Sequence, residues 1–232
     1  DSRHADVALC DHPSSGMACG DAAVEAFHRA MADGHIVAVK GIGGFHIACD
    51  ASNDEAVERL RNRKRRGDKP LAVMMPNVAA CRRVACVSPA EEEILAGPQR
   101  PIVLLRKTAA CDANTTPWTL AANIAPGTDV VGFMLPYSPL HALLLENGRP
   151  LVMTSGNVSD EPIEWRNAQA VEQLSHLVDA FLMHDRPIHS ACDDSVVRVV
   201  AGFVLPMRRA RGIAPLPIRM PPAARATVGG RG

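Results

Sequence analysis

The densest charge in this sequence is the run Arg59, Arg61, Arg63, Lys64, Arg65, Arg66 and Lys69. Guanidinium forks and ammonium groups suit phosphate oxygens, and like charges this close repel until an anion relieves them. A phosphate clamp and a solvated helix face are both open readings of the run. A second cluster, Arg208, Arg209 and Arg211 before Gly212, follows Cys192-Asp-Asp-Ser-Val-Val-Arg198. Adjacent Asp193 and Asp194 beside such cations match a magnesium–nucleotide arrangement, because Mg²⁺ takes one or two carboxylates plus phosphate oxygens. The same acids could equally be salt bridges that hold the arginines in place.

Two further segments offer polar groups at the ends of apolar runs. Thr154-Ser-Gly-Asn157 directly follows Leu151–Met153, so its hydroxyls and amide would gather at a strand's C-terminal end, where open α/β sheets bind ligands. An ordinary Asn-containing turn is the alternative. Gly41-Ile-Gly-Gly44 follows the apolar run His35–Lys40 and would let backbone N–H groups approach an anion, or would serve a tight turn needing positive φ. It matches neither G-x-G-x-x-G nor a Walker A loop. His184, His189 and Cys192 form H-x₄-H-x₂-C. A closed zinc site needs four ligands, and no C-x-x-C pair occurs, so structural zinc is not expected in this segment.

The elements that must position these groups follow from periodicity and punctuation. Helices are predicted over Asp21–Ala32, from the Ser52–Glu55 capping-box pattern to Gly67-Asp68, over Asn77–Val84, from Pro89, over Pro139–Glu146 and over Trp165–Leu174. Strands are predicted at 35–40, 71–75, 102–105, 130–134, 151–154, 180–184, 195–199 and 203–207. Short strands alternating with helices indicate an α/β domain. Some connections are too short for a crossover helix, so a mixed sheet is expected. Residues 1–20 lack periodicity and read as a linker, and the Pro-rich stretch Pro215–Pro222 with the Gly/Arg tail reads as a linker out.

Composition sets the outer limits. With 47% hydrophobic and 22% charged residues in 232, the chain can bury one good-sized core. The formal net charge is zero, so no global field draws it to nucleic acid or a membrane, and any anion site must be local. No apolar run approaches the roughly 20 residues needed to span a bilayer. Seven scattered cysteines do not make a disulfide framework, which fits a reducing cytoplasm.

Taken in order, several of these segments carry a resemblance. They are Lys40-Gly-Ile-Gly-Gly-Phe-His-Ile-Ala-Cys-Asp-Ala51, Arg63-Lys-Arg-Arg66 with Lys69-Pro-Leu71, and Leu135-Pro-Tyr-Ser-Pro-Leu-His141. Met153-Thr-Ser-Gly-Asn-Val-Ser-Asp-Glu-Pro-Ile163, Asp193-Asp-Ser-Val-Val-Arg198 and Arg208-Arg-Ala-Arg-Gly-Ile-Ala-Pro215 complete the set. The set resembles the YrdC-like domain of the HypF hydrogenase-maturation carbamoyltransferases over about residues 21 to 218, leaving 1–20 as a linker or zinc-finger remnant and 219–232 as a tail. The resemblance implies a twisted mixed sheet flanked by helices around a large basic concave cavity, in a cytoplasmic enzyme.

It implies ATP with Mg²⁺ as cofactors, carbamoyl phosphate as the source of carbamate, and a carbamoyl-adenylate as product. The partners implied are HypE and the acylphosphatase-like, zinc-finger and carbamoyl-transfer domains of a complete HypF, with only partial activity in their absence. His46, Lys64 and Arg66 are the implied catalytic set. Lys40, Lys64, Arg66, Lys69, Ser155, Asn157, Asp193, Ser195, Arg198 and Arg208 are the implied nucleotide and phosphate ligands, with Asp193 and Asp194 as candidates for Mg²⁺. A threonylcarbamoyl-adenylate synthase for tRNA modification is the nearest rival, but such synthases carry a Thr-Glu-Thr-Tyr-Gly type of motif where this chain has Gly43-Gly-Phe-His46. A double-stranded RNA-binding module is a third reading, disfavoured by the neutral charge and the 3% aromatic content.

Overall fold

A computed structural model describes residues 7–10, 18–108, 118–157 and 161–217; the expected tail at 219–232 lies outside them. The first helix, α1 (Asp21–Ala32), turns Ala23, Phe27, Ala30 and Met31 inward; the spacing of Ala23, Val24, Phe27 and Met31 predicts this face, with Ala30 buried and Val24 at its half-exposed edge. Strands β3 (Val37–Lys40) and β4 (Phe45–Asp50) are buried at every position. Their side chains alternate between two cores, with Val37 and Val39 packing on Phe27 and Met31, and Ala38, Phe45 and Ile47 facing the opposite layer. A continuous apolar run is what a strand covered on both faces requires.

Helix α2 (Asp54–Lys64) begins one residue later than the capping-box pattern suggests. Asn53 is its N-cap and accepts from Ala56 N. Ser52 is diverted, donating from both N and Oγ to the Asp50 carboxylate at 2.8 and 2.5 Å, so it cannot cap. The helix ends at Lys64 because Arg65 takes a left-handed conformation, φ 49°, short of the expected stop at Gly67-Asp68. Next come β5 (Ala72–Met74), α3 (Val78–Val84), α4 (Pro89–Ala96), β6 (Ile102–Arg106), β7 (Val130–Met134) and α5 (Pro139–Leu144). The capping box missing from α2 is present in α4, where Ser88 and Glu91 satisfy each other's backbone. The chain continues through β8 (Leu151–Ser155), α6 (Asn167–Leu174), β9 (Ala180–His184), β10 (Val196–Val200) and β11 (Phe203–Arg208).

Part of the segment expected as a linker is in the sheet. Val7–Cys10 (β1) pairs antiparallel with β9, and Ala18–Cys19 (β2) pairs with β1. Strands this short leave no readable period, which is why the sequence did not announce them. Among the described residues the strands form one twisted mixed sheet in the order β11-β10-β6-β7-β5-β8-β4-β3-β9-β1-β2. The β3/β9, β5/β7 and β6/β10 pairs are parallel. Helices α2, α3, α4 and α6 cover one face, while α1 and α5 cover the other. The β10–β11 hairpin projects from one edge, with β11 exposed throughout. No helix of the described residues is long and apolar enough to cross a membrane.

Candidate functional site

Strands β4 and β8 run antiparallel with His46 opposite Ser155 and Ile47 opposite Thr154. The end of β8 therefore brings Thr154, Ser155 and Asn157 beside His46. A cavity of about 330 Å³ opens there, closed on one side by Lys64, Arg66 and Lys69 from the end of α2 and the loop after it. Asp193, Asp194 and Arg208 close the other side, and Glu161 lies at the rim. This is the strand-end position that the sequence pattern at 151–157 predicts.

The basic run resolves into staples and cavity cations. Arg61 is buried and donates to the carbonyls of Gly67, Lys69 and Asn123, fixing the loop that follows α2. Arg63 pairs with Asp179 at 2.8 Å, and Arg59 donates to the Gly34 carbonyl. Neither the solvated-face reading nor the clamp reading describes these three. Lys64, by contrast, is almost wholly buried, and its Nζ donates to Ser155 O at 2.6 Å, Asn157 O at 2.9 Å and Asn157 Oδ1 at 3.2 Å. Arg66 donates to Lys69 O, Pro70 O and Thr154 Oγ1. Those acceptors are neutral, while burial and the neighbouring charges of Arg61 and Arg208 depress the Arg66 guanidinium. A buried cation surrounded by dipoles and other cations makes a positive field that an anion relieves.

Behind the cavity wall stands a second network. His46 Nε2 lies 3.0 Å from Asp194 Oδ2, and Arg211 Nε donates to Asp194 Oδ1 at 2.8 Å. Arg211 also donates to the carbonyls of Gln99 and Arg100 and lies 3.5 Å over the Tyr137 ring. Burial acts to raise the Asp194 carboxyl, but the hydrogen bonds and charges of His46 and Arg211 outweigh it and hold the group far below its ordinary range. Burial, reinforced by Asp194, pushes the Tyr137 phenol well above its usual value. His141, edge-on to Tyr137 at 4.5 Å between ring centres, is pushed down to about 3, first by burial and then by His46.

Of the residues singled out from sequence, His46, Lys64, Arg66, Lys69, Ser155, Asn157, Asp193, Asp194 and Arg208 line one cavity. Lys40, Ser195 and Arg198 do not. Lys40 is buried and donates to the His184 carbonyl at 2.9 Å, on the far side of the Gly41–Gly44 turn. Ser195 is fully buried, accepting from Ala210 N and donating to Arg211 O, so it pins the 208–212 segment. Arg198 is exposed on β10. The Gly41–Gly44 turn does not line the cavity either, and none of its glycines has positive φ. Gly43 instead lets the turn approach the Cys192 carbonyl, where a Cβ would collide. Sequence reasoning assigns Tyr137 no role and reads Arg211 only as part of the basic cluster; the 2.8 Å pair of Arg211 with Asp194 matches the salt-bridge alternative. Among the described residues no group of three or more His, Cys, Asp or Glu side chains is placed to hold a metal.

The buried Lys64 makes a testable proton linkage. Burial and, next, the Arg66 charge push its ammonium down to about 7 from 10.5. Because the depressed value favours the neutral amine, an arriving phosphate must raise it, and binding above pH 7 then takes up a proton. On the expectation that this cavity takes ATP, binding at pH 8, where the nucleotide's own phosphates are ionised, should absorb about one proton, and affinity should fall as pH rises further. Calorimetry in two buffers of different ionisation enthalpy reads the uptake directly. Lys64→Arg, whose guanidinium stays charged, should abolish it.

The family model described as telomere recombination, spanning Sua5, YciO and YrdC proteins, matches residues 29–210. The chain belongs to the Sua5/YciO/YrdC family. Within that family it is similar to a particular group of larger enzymes. It is 50% identical over 204 residues to carbamoyltransferase HypF of Rhodobacter capsulatus, covering 88% of this chain and 26% of that protein. With carbamoyltransferase HypF of Synechocystis sp. it shares 49% over 189 residues, covering 81% of this chain and 24% of the relative. A crystal structure of full-length HypF in a phosphate- and nucleotide-bound form superposes with a TM-score of 0.81 at 45% identity, over 90% of this chain and 26% of that one. This YrdC-family chain therefore spans about a quarter of the length of the HypF proteins it matches.

Proposed function

We propose that this chain binds ATP in the Lys64–Arg66–Ser155–Asn157 cavity and joins carbamate to it as carbamoyl-adenylate. The observation that carries the reading is a dipole-held pair of cations at a strand end, Lys64 buried and Arg66 half-buried, in a chain half identical to a HypF carbamoyltransferase. A carbamate oxygen attacks the α-phosphorus, a P–O bond forms, the bond to the bridging β-oxygen breaks, and pyrophosphate leaves with the electron pair. Two anions must approach each other, so neutralising and positioning groups supply most of the catalysis. Lys64, Arg66, Lys69 and Arg208 face the same space and provide that neutralisation. The crystal structure of a related full-length HypF in a phosphate- and nucleotide-bound form supports nucleotide use in this group of enzymes.

The donor set fits a Mg²⁺ carried in by the triphosphate rather than a protein-built cage. Both oxygens of Asp194 are occupied by His46 and Arg211. Asp193, whose carboxylate lies 3.8 Å from Arg208, is the carboxylate with room for it. When bound with the nucleotide, the metal would be held on the protein side by Asp193 and would offset charge on the departing pyrophosphate. In a complete protein the carbamate would come from carbamoyl phosphate through an acylphosphatase-like domain, and the carbamoyl group would pass through a carbamoyl-transfer domain to HypE.

Ammonium bicarbonate solutions contain carbamate, so the step can be tested on this chain alone. ATP, Mg²⁺ and ammonium bicarbonate should yield carbamoyl-AMP by mass spectrometry, with pyrophosphate in equal amount. Pyrophosphate release that needs threonine and bicarbonate would instead identify a threonylcarbamoyl-adenylate synthase. Failure to bind ATP, with salt-sensitive affinity for duplex RNA, would overturn the adenylate reading altogether.

A further inference from the structure

His46 forms part of the cavity wall, yet its imidazole is only 4% exposed and is held from behind. The Asp194 carboxylate cannot rotate freely, because each of its oxygens has a fixed partner. Oδ1 accepts from Arg211 Nε at 2.8 Å, and Oδ2 sits 3.0 Å from His46 Nε2. Arg211 is itself immobilised by the carbonyls of Gln99 and Arg100 and by the face of Tyr137. Its backbone N–H donates to Asp193 O, which ties the same segment down a second time.

A ring nitrogen 3.0 Å from a carboxylate oxygen, whose twin oxygen already accepts from Arg211, is the donor of that pair, since two lone pairs would repel; the Tyr137 hydroxyl, 3.4 Å away, is its second neighbour. In the neutral ring this leaves Nδ1 as the lone pair, and that nitrogen is buried with no hydrogen-bond partner among the described residues. A Cβ built on Gly41 would lie 3.0 Å from that nitrogen, so no side chain reaches it from the turn. We infer that Asp194, clamped by Arg211, is a positioning residue that locks His46 in the Nε2–H form and in one orientation at the cavity wall beside Ser155. The orientation matters because His46 and Ser155 are cross-strand partners, and Ser155 belongs to the turn that Lys64 holds. The inference goes beyond the proposed function, and only its consequence for turnover rests on that reading.

Asp194→Asn separates positioning from charge. Arg211 Nε requires an acceptor, so the new amide must turn its oxygen toward Arg211 and its NH₂ toward His46. Nε2 then becomes the acceptor and the proton moves to Nδ1, where it is buried without an acceptor, the wrong-tautomer outcome known when a His-orienting Asp becomes Asn. The test is a long-range ¹H–¹⁵N spectrum of the imidazoles, with His46 assigned among the nine histidines by its loss in His46→Gln. The wild-type ring should carry its proton on Nε2, and the Asn variant should carry it on Nδ1.

Carbamoyl-AMP turnover should fall about 100-fold in the Asn variant while ATP affinity stays within about threefold, as loss of an orienting group without loss of binding contacts requires. A wild-type Nε2 without a proton overturns the inference, and so does an unchanged tautomer in the variant. A turnover loss matched by an equal loss of ATP affinity or of thermal stability also overturns it. If Asp194→Asn does not fold, the wild-type spectrum alone decides. If wild-type protein makes no carbamoyl-AMP, the proposed function fails, and the tautomer comparison still decides this inference.

Discussion

Lys64→Ala is expected to weaken ATP binding about 100-fold while changing folding stability by no more than about 1 kcal/mol. The two effects separate because this side chain has opposite consequences for the two equilibria. For folding, burying an ammonium is a cost, visible in the value of about 7 to which Lys64 is pushed by burial and by Arg66. Removing the side chain relieves that cost but forfeits three hydrogen bonds to the Ser155–Asn157 turn, so the terms largely offset. For binding, nothing offsets the loss. A charge-assisted contact to phosphate in a partly dry cavity contributes about 1.5–3 kcal/mol, and a loosened turn adds to the deficit. About 3 kcal/mol corresponds to roughly 100-fold in Kd.

Titration calorimetry and thermal melting on the same preparation measure both equilibria. Ser155→Ala is the graded comparison. It removes the Oγ that donates to Asn157 Oδ1 at 2.8 Å but leaves the Lys64 bond to the Ser155 carbonyl intact, so it should lose about tenfold. A Lys64→Ala protein that melts far below wild type yet binds ATP normally would reduce Lys64 to a structural staple.

The strands and helices were legible because their signals are local. The apolar runs at 35–40 and 151–154 needed only their own residues to announce the strands found at 37–40 and 151–155. The Ser52–Glu55 pattern shows where local reading fails, since Asp50 two residues upstream competes for the same Ser hydroxyl. The site was legible as a set of motifs but not as a wiring diagram. His46 and Asp194 meet across 148 positions, and Arg211 reaches Arg100 across 111. No spacing rule connects them. For the same reason, the run at 59–69 could be read as cations but not divided into Arg61, which fastens a loop to itself, and Lys64, which faces the cavity. Only the ordered motif set narrowed the chemistry beyond an anion-binding cleft, because charge and polarity recognise phosphate without specifying what is attached to it.

Gly156→Ala tests whether the site depends on how closely its two strands approach. Gly156 N donates to the Phe45 carbonyl at 2.6 Å, and Glu164 N donates to Gly156 O at 2.8 Å, so the residue is sewn between β4 and the chain that returns past it. A Cβ there would sit 2.5 Å from Phe45 O and 2.8 Å from Phe45 Cβ. Backbone cannot give way as a flexible side chain can, so β4 and β8 must part at the register where His46 faces Ser155. Overpacking of this kind costs about 3 kcal/mol, which for a domain of this size lowers Tm by about 6–12 °C. ATP affinity should fall by more than about 30-fold, because Ser155 and Asn157 flank the displaced residue and carry the Lys64 contacts. Gly127→Ala is the control, with positive φ at 68° but nothing within 4 Å of the added carbon. Its cost is backbone strain alone, about 1 kcal/mol, with no effect on binding. Equal damage from the two substitutions would mean that β4 and β8 have slack at Gly156, and that their close contact is not what sets the geometry of the cavity.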